Sequence, residues 1–184
     1  MKKWNGWGDD QNDLDQELSD SALGFLQQLI GTSTPLPDAT LEQVAAKVPT
    51  SRLPPHELIS VDAEDRLRHA RGQSLPDWLA MRSGDFQVFP DGVAFPGSNA
   101  EVQALLHYAQ QNEVDVIPYG GGTSVVGHIN PEAGDRAVLT IDMTRMNQLI
   151  ALDKQSQIAT FGAGATGPVV ESLLAAEGYT LGHY

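Results

Sequence analysis

The clearest chemical signal in this 184-residue chain is the run Pro118, Tyr119, Gly120, Gly121, Gly122, Thr123, Ser124, Val125, Val126, Gly127. Ordering three consecutive glycines costs backbone entropy, so a fold keeps them for a reason. A tight turn is one such reason. The hydroxyls of Thr123 and Ser124 supply another, because unobstructed backbone amides followed by two hydroxyls form a concave donor surface suited to a pyrophosphate. Other phosphate loops do not fit the letters. A Rossmann turn places a glycine where Val125 stands. A Walker A loop follows its last glycine with lysine and a hydroxyl residue, whereas His128 and Ile129 follow Gly127. Both of those loops also open a helix, and residues 125–134 read as strand-like and turn-rich.

The elements that would position this loop are legible on both sides of it. Val93, Ala94 and Phe95, closed by Pro96 and Gly97, predict a buried strand. Ser98 and Glu101 form a capping box, and Val102, Leu105, Leu106 and Ala109 lie on one stripe of a helix ending near Asn112. Residues 114–118 predict a second strand. Strand, helix, strand with tight connections is a βαβ unit whose strands run parallel. Residues 137–143 and 158–162 predict two further β-rich stretches, joined by a turn-forming segment around Asn147 and Asp153. A last helix over 166–177 has Pro168 in its first turn and Gly178 as its stop.

Upstream, the patterns are short helices at 21–30, 41–48, 62–71 and 76–82, the second opened by a capping box from Thr40 to Gln43. The texture changes near Phe86. The chain therefore divides into 1–84, an acidic arm and short-helix region that reads as an adaptor, and 85–184, which carries the glycine loop. Asp9, Asp10, Asp13, Asp15, Glu17 and Asp20 predict a solvated arm. Trp4 and Trp7 interrupt it and read as anchors onto a surface outside this chain.

Composition narrows the function classes. A formal net charge of −13 and a pI near 4.5 argue against nucleic acid and anionic membrane surfaces as general partners. The chain contains no cysteine, so disulfides, thiol nucleophiles and cysteine zinc sites are excluded. Five scattered histidines show no metal-ligand spacing, and no metal is expected. With no secretory start and no apolar run of membrane-spanning length, the expected location is cytoplasmic.

Residues 96–127 resemble the FAD-binding segment of the vanillyl-alcohol-oxidase-type, or FAD-linked oxidase, family. The elements that carry the resemblance are the Pro96-Gly97 turn into the Glu101-Val102 helix, the Val116-Ile117-Pro118 strand and the Gly120-Gly121-Gly122-Thr123-Ser124 loop. Gly162-Ala163-Gly164-Ala165 and Leu181-Gly182-His183-Tyr184 follow the same course, so the likeness covers 86–184 and, more loosely, the rest. Lys3-Trp4-Asn5-Gly6-Trp7-Gly8, residues 54–69, Val125-Val126 and Thr180–Tyr184 are similar to the alkylglycerone-phosphate synthase-like branch.

The resemblance implies an α+β fold: the N-terminal subdomain of a PCMH-type FAD-binding domain, a βαβ unit plus a small mixed sheet, preceded by a helical arm. It implies non-covalent FAD at Pro118, Tyr119, Gly120, Gly121, Gly122, Thr123, Ser124, Val125 and Gly127. It further implies ether-lipid synthesis, in which a fatty alcohol replaces the fatty acid of acyl-dihydroxyacetone phosphate on a flavin without net redox change. The substrate is then small or lipid-like; peripheral membrane contact through regions outside this chain and a homo-oligomer stay open. So do an FAD-dependent dehydrogenase of 2-hydroxy acids such as lactate or glycolate, and a non-enzymatic scaffold. The family continues past Tyr184 into further flavin contacts, so no catalytic acid or base is assigned and the fragment alone is expected to be inactive. His183 and Tyr184 read as proton-transfer groups or as a strand end. His128 stands where the family usually has glycine, and reads as a flavin attachment point or as a histidine at the loop's exit.

Overall fold

A computed structural model gives the arrangement of residues 3–8, 18–34 and 37–182. Four helices come first: α1 Asp20–Ile30, α2 Leu41–Ala45, α3 Ala63–Arg68 and α4 Leu75–Ser83. The capping box expected at Thr40 forms. Thr40 and Gln43 close a reciprocal box on α2, Asp62 caps α3, and Ser74 and Asp77 box α4, which stops at the left-handed Gly84. Helices α2 and α3 are shorter than their sequence patterns. Helix α1 has no buried residue, so its apolar stripe is not part of either core described below.

The sheet is built from β1 Ile59–Ser60, β2 Gly92–Ala94, β3 Asp115–Tyr119 and β4 Val138–Asp142, in the order β1-β2-β4-β3. The helix between β2 and β3 is α5 Asn99–Gln111. The βαβ unit is present and its strands are parallel, but β4 lies between them and pairs with both. The reason is burial. All five residues of β4 are buried, which requires neighbours on both edges, whereas Asp115 and Pro118 of β3 are exposed and suit an edge. β1 pairs antiparallel with β2, making the sheet mixed. The N-terminus of α5 also departs from expectation by one residue. Ser98 accepts from the Glu101 amide, but the Glu101 carboxylate accepts from the Gly97 amide at 2.7 Å.

A two-stranded hairpin follows, β5 Leu149–Asp153 against β6 Ile158–Phe161, and then α6 Gly167–Ala176. The segment around Asn147 and Asp153 is thus a strand between two turns rather than one turn. Asp153 does make the hairpin corner, its carboxylate accepting from the amides of Gln155 and Ser156.

Two cores hold the layers together. On one face of the sheet Leu105, Tyr108 and Ala109 of α5 pack on Leu139 and Ile141 of β4, with Leu53 and Ala94 completing the cluster. On the other side Val44, Leu67, Ala70, Met81, Phe86 and Phe89 form a second cluster. Trp4 packs against this second cluster, so its anchor is inside this chain and not on an outside surface. Residues before 84 therefore share both cores with residues after it. Arg66, 2% exposed, donates to the carbonyls of Pro49 and Pro90 and so ties the segment after α2 to the entry of β2.

Asp91 is the most connected of these links. It is 3% exposed; one oxygen accepts from the amide and Nε of Arg52, the other from Arg52 Nη2 and the Val138 amide. Burial opposes its charge, but the hydrogen bonds from Arg52 and Val138 outweigh that and hold its carboxyl below the usual range. Asp91→Ala leaves the buried Val138 amide without its acceptor and is expected to cost about 3 kcal/mol, read as a lower urea midpoint.

Candidate functional site

β3 and β4 pair in register up to Tyr119 opposite Asp142, and the glycine loop begins where that ladder ends. Gly122 takes a left-handed φ of +70°, and a Cβ built there would lie 2.1 Å from the Tyr119 hydroxyl. Only glycine allows the backbone to fold down over the tyrosine in this way. Burial, with a smaller contribution from the nearby Asp142 charge, pushes the Tyr119 hydroxyl up to about 12. It therefore stays protonated at physiological pH and serves as a fixed support under the loop.

Beneath the tyrosine lies a buried polar pair. His69, at the C-terminal end of α3, sets Nε2 at 2.8 Å from the Asp142 carboxylate and Nδ1 at 2.7 Å from the Asp65 carbonyl. Its ring lies 4.5 Å from that of Tyr119, centroid to centroid. Desolvation acts against charge on Asp142, yet the hydrogen bonds from His69 and Thr144 prevail and hold the carboxyl low. Helix α3 thus clamps the ends of the two strands from which the loop springs.

The loop's far side is held by the segment ahead of α4. The Gln73 amide donates to the Ser124 carbonyl at 2.6 Å, and the Gly72 amide donates to Asn130. Asn130 in turn donates to Asp77, the capping residue of α4. Gly72 has no room for a side chain, since its Cβ would sit 2.4 Å from the Ser124 carbonyl. A third wall comes from residues 162–166. A Cβ on Gly164 would fall 1.7 Å from the Met143 carbonyl, so this turn closes directly on the residues after β4.

Two cavities meet at Gly121. The larger, about 450 Å³, reaches from Tyr119 and Gly122 past His69 and Asp142 to Gly164 and Thr166. The smaller, about 370 Å³, lies between Thr123, Pro168 and residues 3–8. Lys3, Gln73, Gly121 and Thr166 border both. Lys3, Arg68 and Arg71 line the larger cavity, a local concentration of cations in a chain of net charge −13. Arg68 is engaged by Glu64 at 2.8 Å, as Asp142 is by His69.

The residues singled out from sequence are distributed as follows. Tyr119, Gly121 and Gly122 line the larger cavity, and Gly121 and Thr123 the smaller. Gly120 has open space where a Cβ would be. Ser124 has a buried Oγ with no hydrogen-bond partner among the described residues. Pro118 is an exposed strand residue, and Gly127 forms a left-handed turn whose carbonyl accepts from the Asn130 amide. Val125 and Val126 are 65% and 74% exposed, and His128 is exposed at the loop's exit. His183 and Tyr184, together with the acidic residues of 9–17, lie outside the described residues. Sequence reasoning missed His69, Asp142, Arg71 and Gln73. The first pair is 73 residues apart, and nothing local to either marks the other.

The geometry passes a test for an anionic dinucleotide: a glycine cradle, an orphaned buried hydroxyl in the loop, cations at one cavity, and space on both sides of the loop. Comparison with known proteins agrees. The family described as FAD binding domain matches residues 90–184. The alkyldihydroxyacetonephosphate synthase of Dictyostelium discoideum is 30% identical over 98% of this chain and 35% of its own length. That of Trypanosoma brucei brucei is 27% identical over the same shares. A solved alkyldihydroxyacetonephosphate synthase superposes with a TM-score of 0.83 at 29% identity, covering 99% of this chain and 40% of that one. The chain spans about a third of the length of the curated relatives it matches, 35% in each of these two. The mitochondrial D-lactate dehydrogenase [cytochrome] of Arabidopsis thaliana is 41% identical, but over 34% of this chain.

Proposed function

Because this chain belongs to the FAD binding domain family, we propose that it is the cofactor-holding part of an alkyldihydroxyacetonephosphate synthase-like flavoenzyme. The observation that carries the branch is the extent of the likeness. The synthases match over 98% of the chain, and so include the residues ahead of position 90 that supply Trp4, His69 and Gln73. The D-lactate dehydrogenase of Saccharomyces cerevisiae matches over 50%.

On this reading the backbone amides of Gly121 and Gly122 and the hydroxyls of Thr123 and Ser124 hold the pyrophosphate of FAD. Gly122 lets the backbone approach it, Tyr119 supports the turn from below, and Gln73 fixes its far side through the Ser124 carbonyl. His69 and Asp142 keep the strand ends in register, so the amides are aimed before any ligand arrives. Bound there, FAD would supply the reactive ring on which a fatty alcohol takes the place of the fatty acid of a lipid-like dihydroxyacetone phosphate ester, the acid leaving with its ester oxygen.

The test is an assay of the longer protein to which this segment belongs. Alkyl-dihydroxyacetone phosphate should form from the acyl ester and a long-chain alcohol, with release of the fatty acid. Reduction of a dye by D-lactate, with no exchange, would assign the protein to the dehydrogenases instead.

A further inference from the structure

Residues 3–8 lie outside the stretch matched by the FAD binding domain family, yet they border both cavities. The segment is a closed loop: the Lys3 amide donates to the Gly8 carbonyl at 3.0 Å, and Gly6 is buried. Trp4 holds it in place by packing on the second core. Trp7 is used differently. It is 54% exposed and faces the smaller cavity, whose other walls include Thr123 of the glycine loop and Pro168 of α6. An indole left half in water costs free energy that a planar ligand in that cavity would recover. Lys3 borders both cavities beside Gly121, where two anionic phosphates would lie in a chain that is otherwise strongly acidic.

We propose that the loop 3–8 is a wall of the FAD site itself. Trp7 packs against the bound dinucleotide, Lys3 places its ammonium toward the pyrophosphate, and Trp4 ties both to the core. The inference rests on the reading that this cleft holds FAD, and adds to it a binding element from the opposite end of the chain. The tryptophan-bearing loop that interrupts the acidic arm thereby becomes a determinant of cofactor retention.

The experiment is an equilibrium titration of FAD into the 184-residue chain, followed by quenching of flavin fluorescence. It compares the unaltered protein with Trp7→Ala, Trp7→Phe and Lys3→Gln. Each variant's urea midpoint is measured alongside. Trp7→Ala and Lys3→Gln should each weaken FAD by roughly tenfold, a difference of about 1.4 kcal/mol, with unchanged urea midpoints. Trp7→Phe should retain most of the affinity, because the aromatic face remains. Affinities equal to that of the unaltered chain would overturn the inference while leaving the reading of the glycine loop intact. Equal losses in Trp7→Ala and Trp7→Phe together with lowered urea midpoints would assign the loop a folding role and also overturn it. If the unaltered chain takes up no FAD, both readings fail.

Discussion

Replacing Gly122 by valine is expected to abolish FAD uptake at concentrations that saturate the unaltered chain, a loss of at least roughly a hundredfold, or about 3 kcal/mol. Two effects add. The residue sits at φ +70°, where a β-branched side chain is strained. Its Cβ would also occupy the position of the Tyr119 hydroxyl. To accept the side chain, either the tyrosine leaves its seat over His69 or the loop lifts away from it. Both displace the amides of Gly121 and Thr123 from any common target. Gly120→Ala is the matched control, because a Cβ there meets nothing within 4 Å. It should leave the urea midpoint unchanged. Urea unfolding checks Gly120→Ala, and isothermal titration with FAD checks Gly122→Val. Near-normal affinity in Gly122→Val would mean that the loop is only a turn.

The second large effect concerns stability. His69→Ala removes the partner of a carboxylate that is 5% exposed, and is expected to cost about 3–5 kcal/mol. Its pH dependence should also become shallower. In the unaltered chain Asp142 titrates below its ordinary value of 3.8. The pair therefore stabilises the fold fully above that value, and the contribution is lost as pH falls through the lower folded-state value. The groups facing Asp142 are His69, Thr144 and Tyr119. Without His69 burial is opposed only by the hydrogen bonds from Thr144, so the folded-state value rises relative to that of the unaltered chain. The stability gained as pH climbs out of the acid range should then be smaller in the variant. Urea midpoints from pH 3 to pH 7, a span of about four units around the reference carboxylate value, check this. A variant whose midpoint runs parallel to that of the unaltered chain would show that the pair does not bear on stability. Asp142→Asn combined with His69→Leu should recover part of the loss, because no buried charge is then left unpaired.

What could be read from the sequence was whatever local chemistry determines. Capping residues placed the starts of α2 and α5, Pro168 and Gly178 bounded α6, and the apolar runs located β2, β3 and β4. The glycine loop announced itself because three glycines and two hydroxyls in succession have few other uses. Strand order was not local. That β4 inserts between β2 and β3 follows from its burial on both faces, a consequence of packing that the five letters Val138, Leu139, Thr140, Ile141 and Asp142 do not display. β5 was missed for a different reason. Leu149–Leu152 is an apolar run of four, but the turn formers Asn147 and Asp153 flank it so closely that the whole segment read as a connection. The polar support of the site was out of reach altogether. His69 reads as one of five scattered histidines, and Gln73 contributes a backbone amide that no side-chain pattern reveals. Trp4 and Trp7 were visible as anomalies in an acidic stretch, but their target became clear only when Trp4 was seen on the second core.

The central claim is that this chain is built to hold FAD around the glycine loop. Its most direct test is to incubate the purified 184-residue chain with FAD, remove free flavin by gel filtration, and record the visible absorbance alongside circular dichroism. A flavin band should co-elute with folded protein and be absent from the Gly122→Val variant. A chain that is folded by circular dichroism and carries no flavin after incubation with excess FAD would contradict it.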